Sequence, residues 1–244
     1  MNTNEYTPVT LNDNSTLKIN TRRPLFTGNK PHEISLQDAA LLTKRFRDTV
    51  SEDAIKGGFF ARNAFERTLA QEGCVGIRCY FAAFDDGSPT IVIVGVNRHG
   101  NDIWNGSLSE EWIPCPPKCP TKNALNSNIS IHASVFDNKE KMFTGKENHR
   151  VTLAEAKHYT RNFRSNAEWG AVVSSFSGKH VIEEILAQEH CVGIRLYFAS
   201  REDNLPTLVL VGVKENGCDM IDGIITENWV TLPTENIDSN PLNA

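Results

Sequence analysis

The chain has 244 residues, with 25 Lys+Arg against 30 Asp+Glu and a formal net charge of −5, enough for one large domain or two of ordinary size. No block is basic enough to neutralise a phosphate backbone, so nucleic acid is not an expected partner. The longest apolar runs, such as 208–213, are strand length and far short of a membrane span.

The first residues show no basic head followed by an apolar stretch, and six cysteines do not make a disulfide framework. These features lead us to expect a cytoplasmic protein with mostly free thiols and no membrane partner. Residues 1–25 read as an N-terminal arm, in which 9–11 and 17–19 form an edge hairpin around the Asn/Asp/Ser turn at 12–15.

From residue 26 a module begins. After a Gly-containing turn, Ser35 and Asp38 cap a helix whose stripe is Leu36, Ala39, Thr43, Phe46 and Val50. A looser stretch containing Gly57 and Gly58 leads to a second helix near 61–72. A strand follows over 74–82, with Val75, Ile77, Cys79 and Phe81 on an apolar face and Cys74, Gly76, Arg78 and Tyr80 on a mixed one. A turn at 85–89 joins it to 90–96, a β-branched run apolar on both faces that suits the middle of a sheet. An extended tail then reaches Trp112, read as a lid on the core.

Residues 143–233 repeat residues 26–116 at a constant shift of 117 positions without insertion or deletion, and 20 of 32 positions are identical between 69–100 and 186–217. Such register marks a duplication. Each copy holds 9 Lys+Arg and 12 Asp+Glu, so the charge is evenly shared. The second copy repeats the helix start at Thr152 and Glu155, the stripe at Leu153, Ala156, Thr160, Phe163 and Ala167, and a helix near 178–189. Residues 117–142 read as a linker made stiff by prolines at its start, and 234–244 as a C-terminal tail. Gly73 aligns with His190, which suggests that the turn before the strand needs no positive φ.

The expected fold is α+β: tandem helix-helix-β-hairpin modules forming an internal pseudo-twofold dimer with antiparallel sheet. A lone hairpin with two helices covers one face only, and association of the copies supplies the other. The strings Phe26-Thr-Gly28 and Cys74-Val-Gly-Ile-Arg78, with their second copies, resemble a group of uncharacterised bacterial proteins of Bacteroidetes type. The resemblance covers both copies and implies no activity or cofactor.

Arg78 with Tyr80 and Arg195 with Tyr197 are the candidate ligand-binding residues, since guanidinium and phenol two apart on a strand point the same way. Two such pairs meeting about a twofold axis would hold an anionic group; the bland reading pairs each arginine with a helix carboxylate such as Glu72 or Glu189. Cys74 and Cys191 recur at strand starts, either as inert core thiols or as nucleophiles needing a base, for which His32 and His149 are the recurring histidines. Cys115 and Cys119 are a weak metal pair without further ligands, or a local disulfide. Thr43 and Thr160 read as core hydroxyls bonded to their own helix, and Ser177-Gly178-Lys179 lacks the upstream glycine of a phosphate loop.

The leading expectation is a non-enzymatic binding or interaction protein, with a protein partner or a small anionic ligand at the module interface and no cofactor. The alternatives are an enzyme using the arginines and Cys74 or Cys191 in a cleft between copies, and a duplication with a purely structural role.

Overall fold

Ser35 and Thr152 start two helices for the reason their sequence suggests: each hydroxyl accepts from a backbone N–H three residues on, and Glu155 returns the bond to Thr152 N. The computed structural model describes residues 7–10, 16–19, 32–129, 141–167, 171–227, 230–233 and 239–243. In chain order the elements are β1 (Thr7–Thr10), β2 (Thr16–Ile19), α1 (Leu36–Arg47), β3 (Gly57–Ala61), α2 (Arg62–Leu69), β4 (Cys74–Ala83), β5 (Pro89–Asn97), β6 (Leu108–Ser109), β7 (Ile113–Cys115), α3 (Leu153–Asn166), β8 (Val172–Gly178), α4 (Lys179–Ala187), β9 (Cys191–Ser200), β10 (Pro206–Lys214), β11 (Ile225–Glu227) and β12 (Val230–Pro233). The fold is α+β, with four helices among the described residues and two five-stranded antiparallel sheets, ordered β11-β10-β9-β3-β7 and β12-β8-β4-β5-β6. β1 and β2 pair as the expected N-terminal hairpin; Trp229, which answers Trp112 at the 117-position shift, lies outside the described residues.

Sequence and structure part at β3 and β8. The Gly57-Gly58 stretch is a buried strand, and it pairs with β9, more than a hundred residues downstream. Reciprocally, β8 pairs with β4. Each half of the chain thus donates a strand to the sheet built by the other half's hairpin, and the unit is helix-strand-helix-hairpin rather than helix-helix-hairpin. The glycines permit this crowding. A Cβ on Gly57 would sit 2.2 Å from Leu196 O, and one on Gly58 2.3 Å from the Trp112 ring.

The two sheets enclose one central core. It takes Ile77, Cys79 and Phe81 from β4, Ile194, Leu196 and Phe198 from β9, and the apolar faces of α2 and α4. Trp112 is buried inside this core against Phe198, at a ring separation of 5.6 Å, rather than lidding one module. The outward faces carry separate clusters: α3 covers Tyr80, Ala82, Val92 and Val94, while α1 covers Tyr197, Ala199, Val209 and Val211.

Three local expectations need correction. Register shifts between Cys74 and Gly76 opposite β5, so a bulge puts Cys74 into the central core with Ile77 and leaves Val75 out of it. His190 adopts φ 67 where Gly73 has φ 72, so the turn does require the left-handed region, and the second half accommodates it with a strained non-glycine residue. The helical stripes are also shorter than expected, because α1 ends at Arg47 and leaves Val50 beyond it.

Candidate functional site

Arg78 and Tyr80 project from the outer face of β4, and Arg195 and Tyr197 from the outer face of β9. Both arginines are buried. Arg78 Nη1 pairs with Asp102, its Nη2 donates to Gly100 O at 3.0 Å, and the Tyr80 hydroxyl donates to Asp102 Oδ2 at 2.5 Å. Arg195 repeats the pattern with Asp219 and Gly217 O, and Tyr197 donates to Asp219 Oδ2 at 2.6 Å. Guanidinium and phenol do point the same way. The carboxylate they meet is the aspartate of the turn after β5 or β10, not Glu72 or Glu189. The two units lie under different helices, α3 and α1, on opposite outer sides of the central core, so the structure does not bring Arg78 and Arg195 together.

Burial, and then the adjacent carboxylate, push both tyrosines above the usual phenol range. Burial lowers Arg195, but Asp219 and Tyr197 together outweigh that and hold the guanidinium more firmly charged than usual. These are buried ties whose pieces need one another, because a buried charge left alone is costly; Nε of each arginine finds no hydrogen-bond partner among the described residues.

Each tie is closed by a segment that sequence reasoning took for linker or tail. Asn123 Nδ2 donates to Asp219 Oδ2 at 2.8 Å, and Asn240 Nδ2 donates to Asp102 Oδ2 at 3.0 Å. Leu125 and Leu242 are fully buried beside them. Arg47 of α1 donates to Leu125 O, and Arg164 of α3 to Leu242 O. The missed signal is Asn123-Ala-Leu-Asn126 against Asn240-Pro-Leu-Asn243, again 117 positions apart, and Asp102 stands to Asp219 at the same shift.

The other candidates are internal. Cys74 and Cys191 are buried, and their thiols donate to Gly76 O at 3.1 Å and Gly193 O at 3.2 Å, across the bulge. His149 is occupied on both ring nitrogens: Nε2 accepts from Ala61 N at 3.0 Å, which leaves Nδ1 to donate to Glu111 O at 2.8 Å. Burial pulls its pKa below the usual imidazole value. Thr43 bonds back to Ala39 O at 3.0 Å, as a helix threonine does. Lys179 is spent on Leu69 O at 3.0 Å. Cys115 and Cys119 form a disulfide, which removes the thiolates a metal would need and corrects the weak metal reading. Among the described residues no group of three or more His, Cys, Asp or Glu is placed to hold a metal, and no helix is long and apolar enough to cross a membrane.

A cleft of about 640 Å³ lies between α1 and the β9–β10 turn. Ile34, Asp38, Leu41, Leu42 and Arg45 line it from α1 and the residues before it, and Arg201, Glu202, Asp203 and Glu227 from the sheet side. Arg45 reaches Glu202 at 3.0 Å and Arg201 Nε reaches Glu227 at 2.8 Å. Leu41 is 48 % exposed and Leu205, in the same turn, 41 %. At positions 117 lower or higher, the corresponding place beside α3 is closed. Tyr159 packs edge-on against Phe84 at 5.1 Å, where the cleft has Leu42 and Arg201. His158 and Asn162 hold Asp85, where it has Leu41, Arg45 and Glu202.

Compared with known proteins, the chain matches no family model, no curated protein and no solved structure.

Proposed function

We propose that the chain is an internal pseudo-dimer derived from a duplication, and that it acts as a binding protein taking a small organic anion with an apolar body in the cleft beside α1. The recurrence of every paired element at one shift supports the pseudo-dimer, and so does the reciprocal donation of β3 and β8. The observation that carries the ligand reading is the contrast between the two equivalent places. The acidic positions are common to both: Asp38 answers Glu155, Glu202 answers Asp85, Asp203 answers Asp86 and Glu227 answers Glu110. What distinguishes the cleft is that two arginines have entered and the rings of Phe84, His158 and Tyr159 have no counterpart. Arginine forks beside leucines suit a carboxylate or similar anion on a hydrocarbon or aryl frame, and the ligand takes the place of the exposed Glu202 on Arg45.

The test is calorimetry with medium-chain and aryl carboxylates, and with their neutral amides as controls. Carboxylates bind and amides do not. The double variant Leu42→Tyr/Arg201→Phe, which copies the closed place, weakens binding at least tenfold while its circular dichroism stays native. Unchanged affinity in that variant, or no binding by any carboxylate, sinks the reading. We place this activity in the cytoplasm, as the cysteine content suggests; the Cys115–Cys119 bond is the observation against it, because reducing compartments keep such thiols apart.

A further inference from the structure

We propose that Cys115–Cys119 is a thiol-exchange site, opened by a low-molecular-weight thiol, and that it latches the Asn123–Asn126 segment onto the Arg195–Tyr197–Asp219 tie. Cys115 is held firmly: it lies on β7 opposite Gly57, it is fully buried, and its carbonyl accepts from Lys56 N at 2.8 Å. Cys119 lies in the following loop and is half-buried. It lines a cavity of about 450 Å³ whose charged residues are Arg47, Lys56 and Lys122 against Asp48 and Glu52. Arg47 and Lys56 are fixed there by carbonyls, Arg47 on those of Leu125 and Ser127 and Lys56 on those of Glu52 and Ala54. Three cations against two carboxylates leave the cavity lining net positive, and such a setting favours thiolate, the form that attacks and leaves in exchange.

The chemistry balances as follows. A thiolate entering the cavity attacks Cys119 Sγ, forming a mixed disulfide and expelling Cys115 as a thiolate. A second small thiol then attacks the mixed disulfide, releasing Cys119 thiolate and the oxidised small disulfide. Two small thiols are oxidised and one protein disulfide is reduced.

The consequence falls on the loop. Asn123 follows Cys119 by four residues and donates to Asp219, its Oδ1 accepts from Leu125 N at 2.8 Å, and Leu125 is buried under α1. The molecule carries its own control. Positions 232 and 236, equivalent to the two cysteines, are Leu and Asn, so the Asn240–Asn243 segment docks on Asp102 without a disulfide. Reduction therefore loosens one cap and leaves the other alone.

The experiment uses the full chain purified without reductant and then exposed to graded glutathione, read by alkylation mass spectrometry and amide hydrogen exchange. Cys115 and Cys119 become alkylated while buried Cys74, Cys79, Cys191 and Cys218 do not. Amides of 121–127 exchange at least tenfold faster, those of 239–243 are unchanged, and Cys115→Ser/Cys119→Ser shows the fast pattern without glutathione. The proposal is overturned if the oxidised bond is absent from the purified chain, if it resists glutathione until the protein unfolds, or if reduction leaves 121–127 exchanging at its former rate.

Discussion

Replacing Leu125 by Ala tests whether the stretch after β7 is core or connector. Leu125 is fully buried, packed with Ala39, Tyr197, Val209 and Val211 under α1. Truncating such a leucine removes its transfer free energy and leaves a cavity, together roughly 2–5 kcal/mol. The backbone here is pinned on both sides, by Arg47 at Leu125 O and by Asn123 at Leu125 N, so collapse into the cavity is restricted and a cost of about 3 kcal/mol is expected. For a chain of this length that lowers the melting temperature by roughly 6–12 °C. Urea unfolding followed by tryptophan fluorescence measures the same quantity, provided the slope against urea stays at its wild-type value. The comparison is Leu41→Ala: Leu41 is 48 % exposed, so its loss should cost under about 0.5 kcal/mol. If Leu125→Ala is no more destabilising than Leu41→Ala, the segment is not part of the core and the account of both Asn-x-Leu-Asn caps fails.

Two further outcomes follow from the backbone and from burial. His190→Gly is expected to stabilise by roughly 0.5–1 kcal/mol, because His190 holds φ 67 with an exposed side chain and a non-glycine residue pays for that region; a loss of stability in thermal unfolding would show that the His190 side chain contributes more than its strain costs. Burial depresses the His149 pKa from 6.5, so the stability tied to its neutral form is complete above that value and declines as pH falls below it, because the unfolded chain takes up the proton first. Glutamine keeps a hydrogen-bonding group near Nε2 but does not titrate, so stability curves of His149→Gln between pH 7 and 5 should be flatter than those of the native chain, and parallel curves would remove His149 from the pH response.

Local signals were legible from residues alone. Helix caps at Ser35 and Thr152, the β4–β5 and β9–β10 hairpins and the alternation around Arg78 all depend on neighbours within a few positions. β3 and β8 were not legible, because Gly57-Gly58 reads as a loop until one knows that Leu196 and Trp112 press against it. The bulge at Cys74 escaped for a related reason: an extra residue in one strand leaves the hydrophobic alternation looking intact. The arginine–tyrosine geometry is readable from alternation, but its partner lies in the turn rather than on the helix, where Asp102 and Asp219 keep the repeat spacing. The cleft beside α1 lies where the two halves differ in sequence, at Leu42, Arg45 and Arg201, positions that carry no repeat signal.

The reciprocal placement of β3 and β8 has a consequence for how many molecules take part in one fold. Nothing in the β3–β9 or β8–β4 pairing requires the two strands to belong to the same polypeptide. Joining the two halves in one chain keeps donor and acceptor strand at high local concentration. A backbone cut there leaves two fragments that hold each other through shared sheets and a shared core. When many chains refold in a crowded solution, the donated strand of one can complete its neighbour, so closed swapped dimers compete with the monomer in proportion to protein concentration.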